Sequence, residues 1–194
     1  MKVILALLPA ALAACSTTTY MRDAQPTPSP GPEEAKVIIY RTSSFGGAEH
    51  FPVYELVDHE DGRLLGFTET DRYFEYRCPP GKHLFVTWGE GEAFIEADLE
   101  AGKTYFIRTY SKFGVLSARP GFAPVGQESG HWPTLEEVLS SLQCRELEPD
   151  KAAEYEHRKV DHLKKTMASY REGRKNPRFL TPNDGLEELT LPAK

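Results

Sequence analysis

The chain has 194 residues, with 23 Lys/Arg against 29 Asp/Glu and a formal net charge of −6. That length suits one hydrophobic core with appendages, and no period of 20 to 50 residues repeats, which excludes solenoids and propellers. Charge is uneven: residues 151–178 hold nine Lys/Arg against four Asp/Glu, so the remainder sums to −11. An acidic body would repel phosphate, so nucleic acid is not expected as a partner.

In chain order, Lys2 precedes an apolar run from Val3 to Ala14 that ends Leu12-Ala13-Ala14-Cys15. The run is too short to span a bilayer, which takes roughly 20 residues, and has the layout of an export signal. A cysteine directly after Leu-Ala-Ala resembles the lipobox of bacterial lipoproteins, which implies a signal over 1–14 and acylation at Cys15. Because stable attachment takes at least two acyl chains, the lipid bilayer is then the first expected partner. Ser16 after the cysteine resembles the pattern exported to the outer membrane in Gram-negative hosts. Residues 15–34, Ser/Thr-rich and then carrying Pro26, Pro28, Pro30 and Pro32, read as a lipidated start and an extended spacer.

From residue 35 to 125, short β-branched and aromatic runs alternate with turn residues, the pattern of an antiparallel β-sandwich of seven to eight strands. The expected strands are Lys36–Arg41, Phe51–Asp58, Arg63–Thr68, Tyr73–Cys78, His83–Trp88, Ala93–Leu99, Thr104–Tyr110 and Gly114–Arg119. Asp61-Gly62, Pro79-Pro80-Gly81-Lys82 and Ala101-Gly102 are the expected turns. Side-chain alternation groups Phe74, Tyr76 and Cys78, and it assigns Leu84, Val86, Trp88, Ile95, Ala97 and Leu99 to the core. Phe85 and Phe94 then point the other way, covered by a helix or met by a ligand.

A helical extension follows over 126–175. Pro133 and Thr134 open one helix that runs to about Gln143, and Pro149-Asp150 opens a second that runs to about Glu172. In the second, Ala153, His157, Val160, Leu163, Met167 and Tyr170 recur at helical spacing. Its basic residues Arg158, Lys159, Lys164 and Lys165 form either a solvated face or a contact surface for an acidic partner or anionic lipid. Residues 176–194 read as an irregular tail.

The runs Val37-Ile38-Ile39-Tyr40-Arg41, Pro79-Pro80-Gly81-Lys82-His83 and Ala101-Gly102-Lys103-Thr104-Tyr105-Phe106-Ile107-Arg108, behind a lipobox, resemble the bacterial lipoproteins grouped as domain of unknown function family 2846. The resemblance covers roughly residues 35–115. It implies a small β-sandwich similar to the carboxypeptidase regulatory or prealbumin-like type, on an envelope lipoprotein without an assigned activity.

Little in the chain suggests catalysis. Gly-x-Ser-x-Gly, Ser-x-x-Lys, His-Glu-x-x-His and glycine-rich phosphate loops are all missing from the sequence, and Gly89-Glu90-Gly91 is an acidic turn, with Glu90 and Glu92 paired only by abundance. No histidine pair has metal-ligand spacing: His50, His59 and Asp58 merely flank one strand, and His157 and His162 sit about 140° apart on a helix. No metal, cofactor or catalytic residue is therefore assigned. With Cys15 acylated, Cys78 and Cys144 remain in an oxidising compartment. They either pair, closing a loop of about 66 residues for roughly 4 kcal/mol, or stay as buried thiols. The expectation is a noncatalytic interaction module for an envelope protein, with a small-ligand or glycan-binding sandwich using Phe85 and Phe94 as the alternative and a hydrolase third.

Overall fold

The computed structural model describes residues 20–42, 49–57, 61–189 and 191. In chain order its elements are β1 (Met21–Asp23), β2 (Ala35–Arg41), β3 (Phe51–Val57), β4 (Asp61–Thr68), β5 (Arg72–Cys78), β6 (Gly81–Trp88), β7 (Glu92–Leu99), β8 (Thr104–Phe113) and β9 (Ala118–Pro124), then α1 (Leu135–Ser141), β10 (Gln143–Leu147), α2 (Pro149–Arg171) and β11 (Arg178–Leu180). The fold is mainly β. One sheet has the order β1-β10-β5-β2-β8-β9 and the other β11-β7-β6-β3-β4. Both are mixed rather than antiparallel, because β10 runs parallel to β5, β2 to β8 and β11 to β7.

β2 explains why the first sheet needs cover on both sides. All seven of its residues are buried, as a near-continuous apolar run requires. Val37 and Ile39 join the core shared by the two sheets, with Phe74, Tyr76 and Cys78 as expected. Ile38 and Tyr40 face outward into a second cluster with α1 residues Leu135 and Leu139 and the late residues Leu186 and Leu189. The outer face of the other sheet is covered by α2. There Glu156 accepts the Leu64 N–H at 2.9 Å, Tyr155 meets Phe67 edge-on at 4.8 Å, and His162 lies 4.9 Å from the Trp88 ring. Gly62 permits this approach, since a Cβ there would come within 2.8 Å of Leu163.

Several expectations need correction. The register pairs Phe85 with Ile95 and Val86 with Phe94. Phe85 therefore shares the inter-sheet side with Ile95, whereas Leu84, Val86 and Trp88 lie with Phe94 under the helix. Both Phe85 (0% exposed) and Phe94 (3%) are buried, so neither forms an accessible contact surface. On α2 the buried face is Ala152, Tyr155, Leu163, Thr166 and Met167, while Ala153, His157 and Val160 face outward. The apolar stripe runs about one residue out of phase in the first half, because Tyr155 takes the core position and Lys159 lies over its ring at 5.8 Å.

Strand β9 begins at Ala118, not Gly114, and the first helix stops at Ser141 to give way to β10. Asp61 and Gly62 are paired with Val57 and Leu56 inside the ladder rather than forming the turn; Asp58 and His59 lie outside the described residues. Gly81 (φ +127°) and Gly102 (φ +76°) do hold left-handed turn positions. The spacer is partly built into the fold from Tyr20 onward: β1 pairs with β10, and Thr27 and Pro28 offer carbonyls to buried Lys36 at 2.9 and 3.1 Å. The tail is likewise structured, through β11 and the pairing of Leu186 with Thr104.

Cys78 and Cys144 are free thiols, not a disulfide. In the β10–β5 register Cys144 sits beside Tyr73, and Cys78 lies five residues further along β5. At about 3.3 Å per residue that is about 16 Å, where a bridge needs Cα atoms within about 7 Å. The two thiols also belong to opposite faces of the sheet, Cys78 to the shared core and Cys144 to the outer cluster. Burial pushes the Cys144 thiol up to about 11, which keeps it protonated and unreactive near neutral pH.

Candidate functional site

The principal concavity of the described residues exists because α2 ends before the sheet beneath it does. The helix stops at Arg171, with Gly173 at φ +65° just beyond. Leu56 on β3 and Leu84 on β6 are left half-buried past its last turn. They form the floor of a groove of about 600 Å³, walled by Met167, Tyr170 and Arg171 on one side and by β11 and the following Thr181-Pro182 on the other. Phe179, on β11, stands over it with 60% of its surface exposed.

Polar groups at the rim carry both signs. Lys82 and Asp98 are cross-strand partners, joined by Arg171 and Glu96. The Tyr170 hydroxyl donates to Glu96 at 2.5 Å, and its ring lies 5.2 Å from Phe94, so this wall is fixed. The opposite wall is fixed from behind. The Thr181 hydroxyl donates to Asp184 at 2.8 Å, and Lys103 donates to the Pro182 carbonyl at 3.2 Å.

His83 belongs to the strand that forms the floor, but its ring is turned to the inter-sheet side. There it is bonded to Glu55, which also accepts the Tyr76 hydroxyl, and its other nitrogen meets the Pro79 carbonyl at 2.9 Å. Burial lowers the affinity of this imidazole for its proton, but Cys78, Glu55 and the Pro79 carbonyl outweigh burial and raise its pKa to about 10. The ring is therefore a cation with both N–H groups engaged, and Glu55, itself held below the usual carboxylate range by His83 and Tyr76 against its own burial, balances it. A base needs an unprotonated nitrogen aimed at its proton source, and His83 has none. The one hydroxyl at the groove's edge that resembles a nucleophile, that of Thr181, is committed to Asp184.

The basic residues of α2 are dispersed. Arg158 is exposed, receives no part in the groove, and donates to the Tyr20 hydroxyl at 2.8 Å; Lys159 lies over Tyr155; Lys164 and Lys165 face solvent. Cys15 lies outside the described residues. Among the described residues no group of three or more His, Cys, Asp or Glu is placed to hold a metal ion, and no helix is long and apolar enough to cross a membrane. Sequence reasoning missed the groove, whose wall comes from the three-residue strand Arg178-Phe179-Leu180 in a segment read as irregular, too short to show a strand pattern of its own.

Comparison with known proteins adds one relative. The chain is 33% identical over 106 residues to an uncharacterized protein of Haemophilus influenzae, a match covering 53% of this chain and 58% of that protein. The chain thus spans under two thirds of that relative's length. No family model matches the chain, and no solved structure matches it.

Proposed function

We propose that the protein is a noncatalytic envelope lipoprotein, anchored through Cys15 and facing the periplasm from the outer membrane, that holds an extended peptide segment of another envelope protein in the groove beyond α2. Its architecture is read as a sandwich of two mixed sheets whose termini brace the binding end. The observation that carries the reading is the groove itself: an apolar floor with a nearly balanced rim of Lys82, Arg171, Glu96 and Asp98. A polyanionic ligand would call for surplus cations, whereas a peptide supplies apolar side chains for Leu56, Leu84 and Phe179 together with charges and backbone dipoles for the rim.

The test places a photocrosslinking residue at Phe179 of the full-length protein in cell envelopes. Discrete protein adducts, weakened by the double reversal Lys82→Glu/Arg171→Glu, are the expected result. Capture from Lys164 but not from Phe179 would move the contact to the outer face of α2, and adduct-free protein at both positions would refute the reading.

A further inference from the structure

Opposite in character to the groove is the tip of the β8–β9 hairpin. The ladder closes with Phe113 opposite Ala118, and in the short connection Val115 is 84% and Leu116 is 93% exposed. Hairpin tips are ordinarily small or polar; here two neighbouring large aliphatics stand in solvent.

The backbone under them is prepared in a way that a water-facing loop does not require. Glu90, reaching over from the β6–β7 turn, accepts the N–H groups of Val115 at 2.6 Å, Leu116 at 2.6 Å and Ser117 at 2.7 Å. Its charge is met by Arg119, whose Nη2 lies 2.8 Å away. At Gly114 a Cβ would fall 2.0 Å from the Ser117 carbonyl oxygen, so the turn is tight enough to demand glycine. A loop whose donors are satisfied internally can leave water without the cost of unpaired N–H groups.

Behind the tip, on β8, Arg108 and Lys112 lie over the ring of Tyr110, at 5.8 and 5.3 Å. An aliphatic point followed by a tyrosine between two cations is the order of groups found across a membrane–water boundary, with the cations at headgroup level. Side chains this fully exposed suit a fluid apolar medium better than a shaped protein pocket.

We propose that the β8–β9 tip is a membrane-contact site that inserts Val115 and Leu116 into the interface of a bilayer containing anionic lipid. This contact is independent of both the groove and the acyl anchor.

The experiment uses residues 16–194, so that neither the apolar run Val3–Ala14 nor an acyl chain contributes, with vesicles of phosphatidylethanolamine and phosphatidylglycerol. In the variant Leu116→Cys, labelled with an environment-sensitive fluorophore, vesicles are expected to raise and blue-shift the emission, while the same label at Lys164→Cys does not respond; the buried Cys78 and Cys144 do not compete for label. Val115→Asp/Leu116→Asp is expected to lower vesicle partitioning by about tenfold or more, with an unchanged circular dichroism spectrum. An unresponsive label at position 116, or equal partitioning of the Asp variant, overturns the proposal, as does a tip that captures a protein in cell envelopes while ignoring vesicles.

Discussion

The two outer faces of the sheets pose the same problem and are covered differently. On the β11-β7-β6-β3-β4 sheet, a single 23-residue helix lays Tyr155, Leu163 and Met167 over the aromatic surface. On the β1-β10-β5-β2-β8-β9 sheet, the cover is assembled from α1 and from segments near both ends of the described chain. A long helix carries its apolar stripe in its own sequence, whereas a cover made of pieces has no local pattern, and its stability depends on contacts far apart in the chain.

The largest expected effect tests the helical cover. Tyr155→Ala removes a ring that packs against both Tyr20 and Phe67, and it should cost about 3–5 kcal/mol in urea unfolding. On the other face, Lys36→Ala leaves Glu75 buried without its ion-pair partner, for a loss of about 3 kcal/mol. It should also speed proteolysis around Thr27-Pro28, whose carbonyls bind the ammonium, whereas Tyr155→Ala should not.

Between the sheets, His83 has its folded pKa raised from 6.5 to about 10. Its contribution is therefore complete below about pH 6.5 and lost as pH rises toward 10, so the wild type should lose a few kcal/mol over that interval and His83→Gln should flatten the slope. Glu90→Ala should accelerate amide exchange at Val115, Leu116 and Ser117 while leaving global unfolding nearly unchanged, because its contacts are confined to the tip. The smallest effect is expected on the solvent side of α2, where Lys164→Ala should change stability by less than about 0.5 kcal/mol; a larger loss would mean that this face too is covered.

What could be read from the sequence divides along the same line. The runs of β2 through β8 announce themselves because each is a half- or fully buried strand between turn residues, and α2 because its period extends over six turns. The groupings failed where a single residue of register decides the outcome: in β6, Leu84 and Phe85 are both apolar, so alternation cannot say which faces the helix. β1, β10 and β11 are short edge or near-edge strands; β1 and β10, the latter Gln143-Cys144-Arg145-Glu146-Leu147, are largely polar and are held together by the cross-strand pairs Arg22 with Glu146 and Arg145 with Asp23. Nothing local marks them as strands. The groove inherits that opacity, since β11 forms one of its walls, and the tip was obscured because Val115 and Leu116 look like continued strand until Glu90 is seen beneath them.

The joint between β1 and β10 has a mechanical meaning. Tension applied from upstream of Tyr20 enters the protein through the Tyr20 ring, stacked 4.7 Å from Phe67, and through a three-residue strand paired at Met21, Arg22 and Asp23. Pulling loads this short seam before the central strands, so the seam acts as a fuse. It can part while β2, β5 and β8 stay folded, because β2 pairs with both β5 and β8 and none of the three pairs with β1.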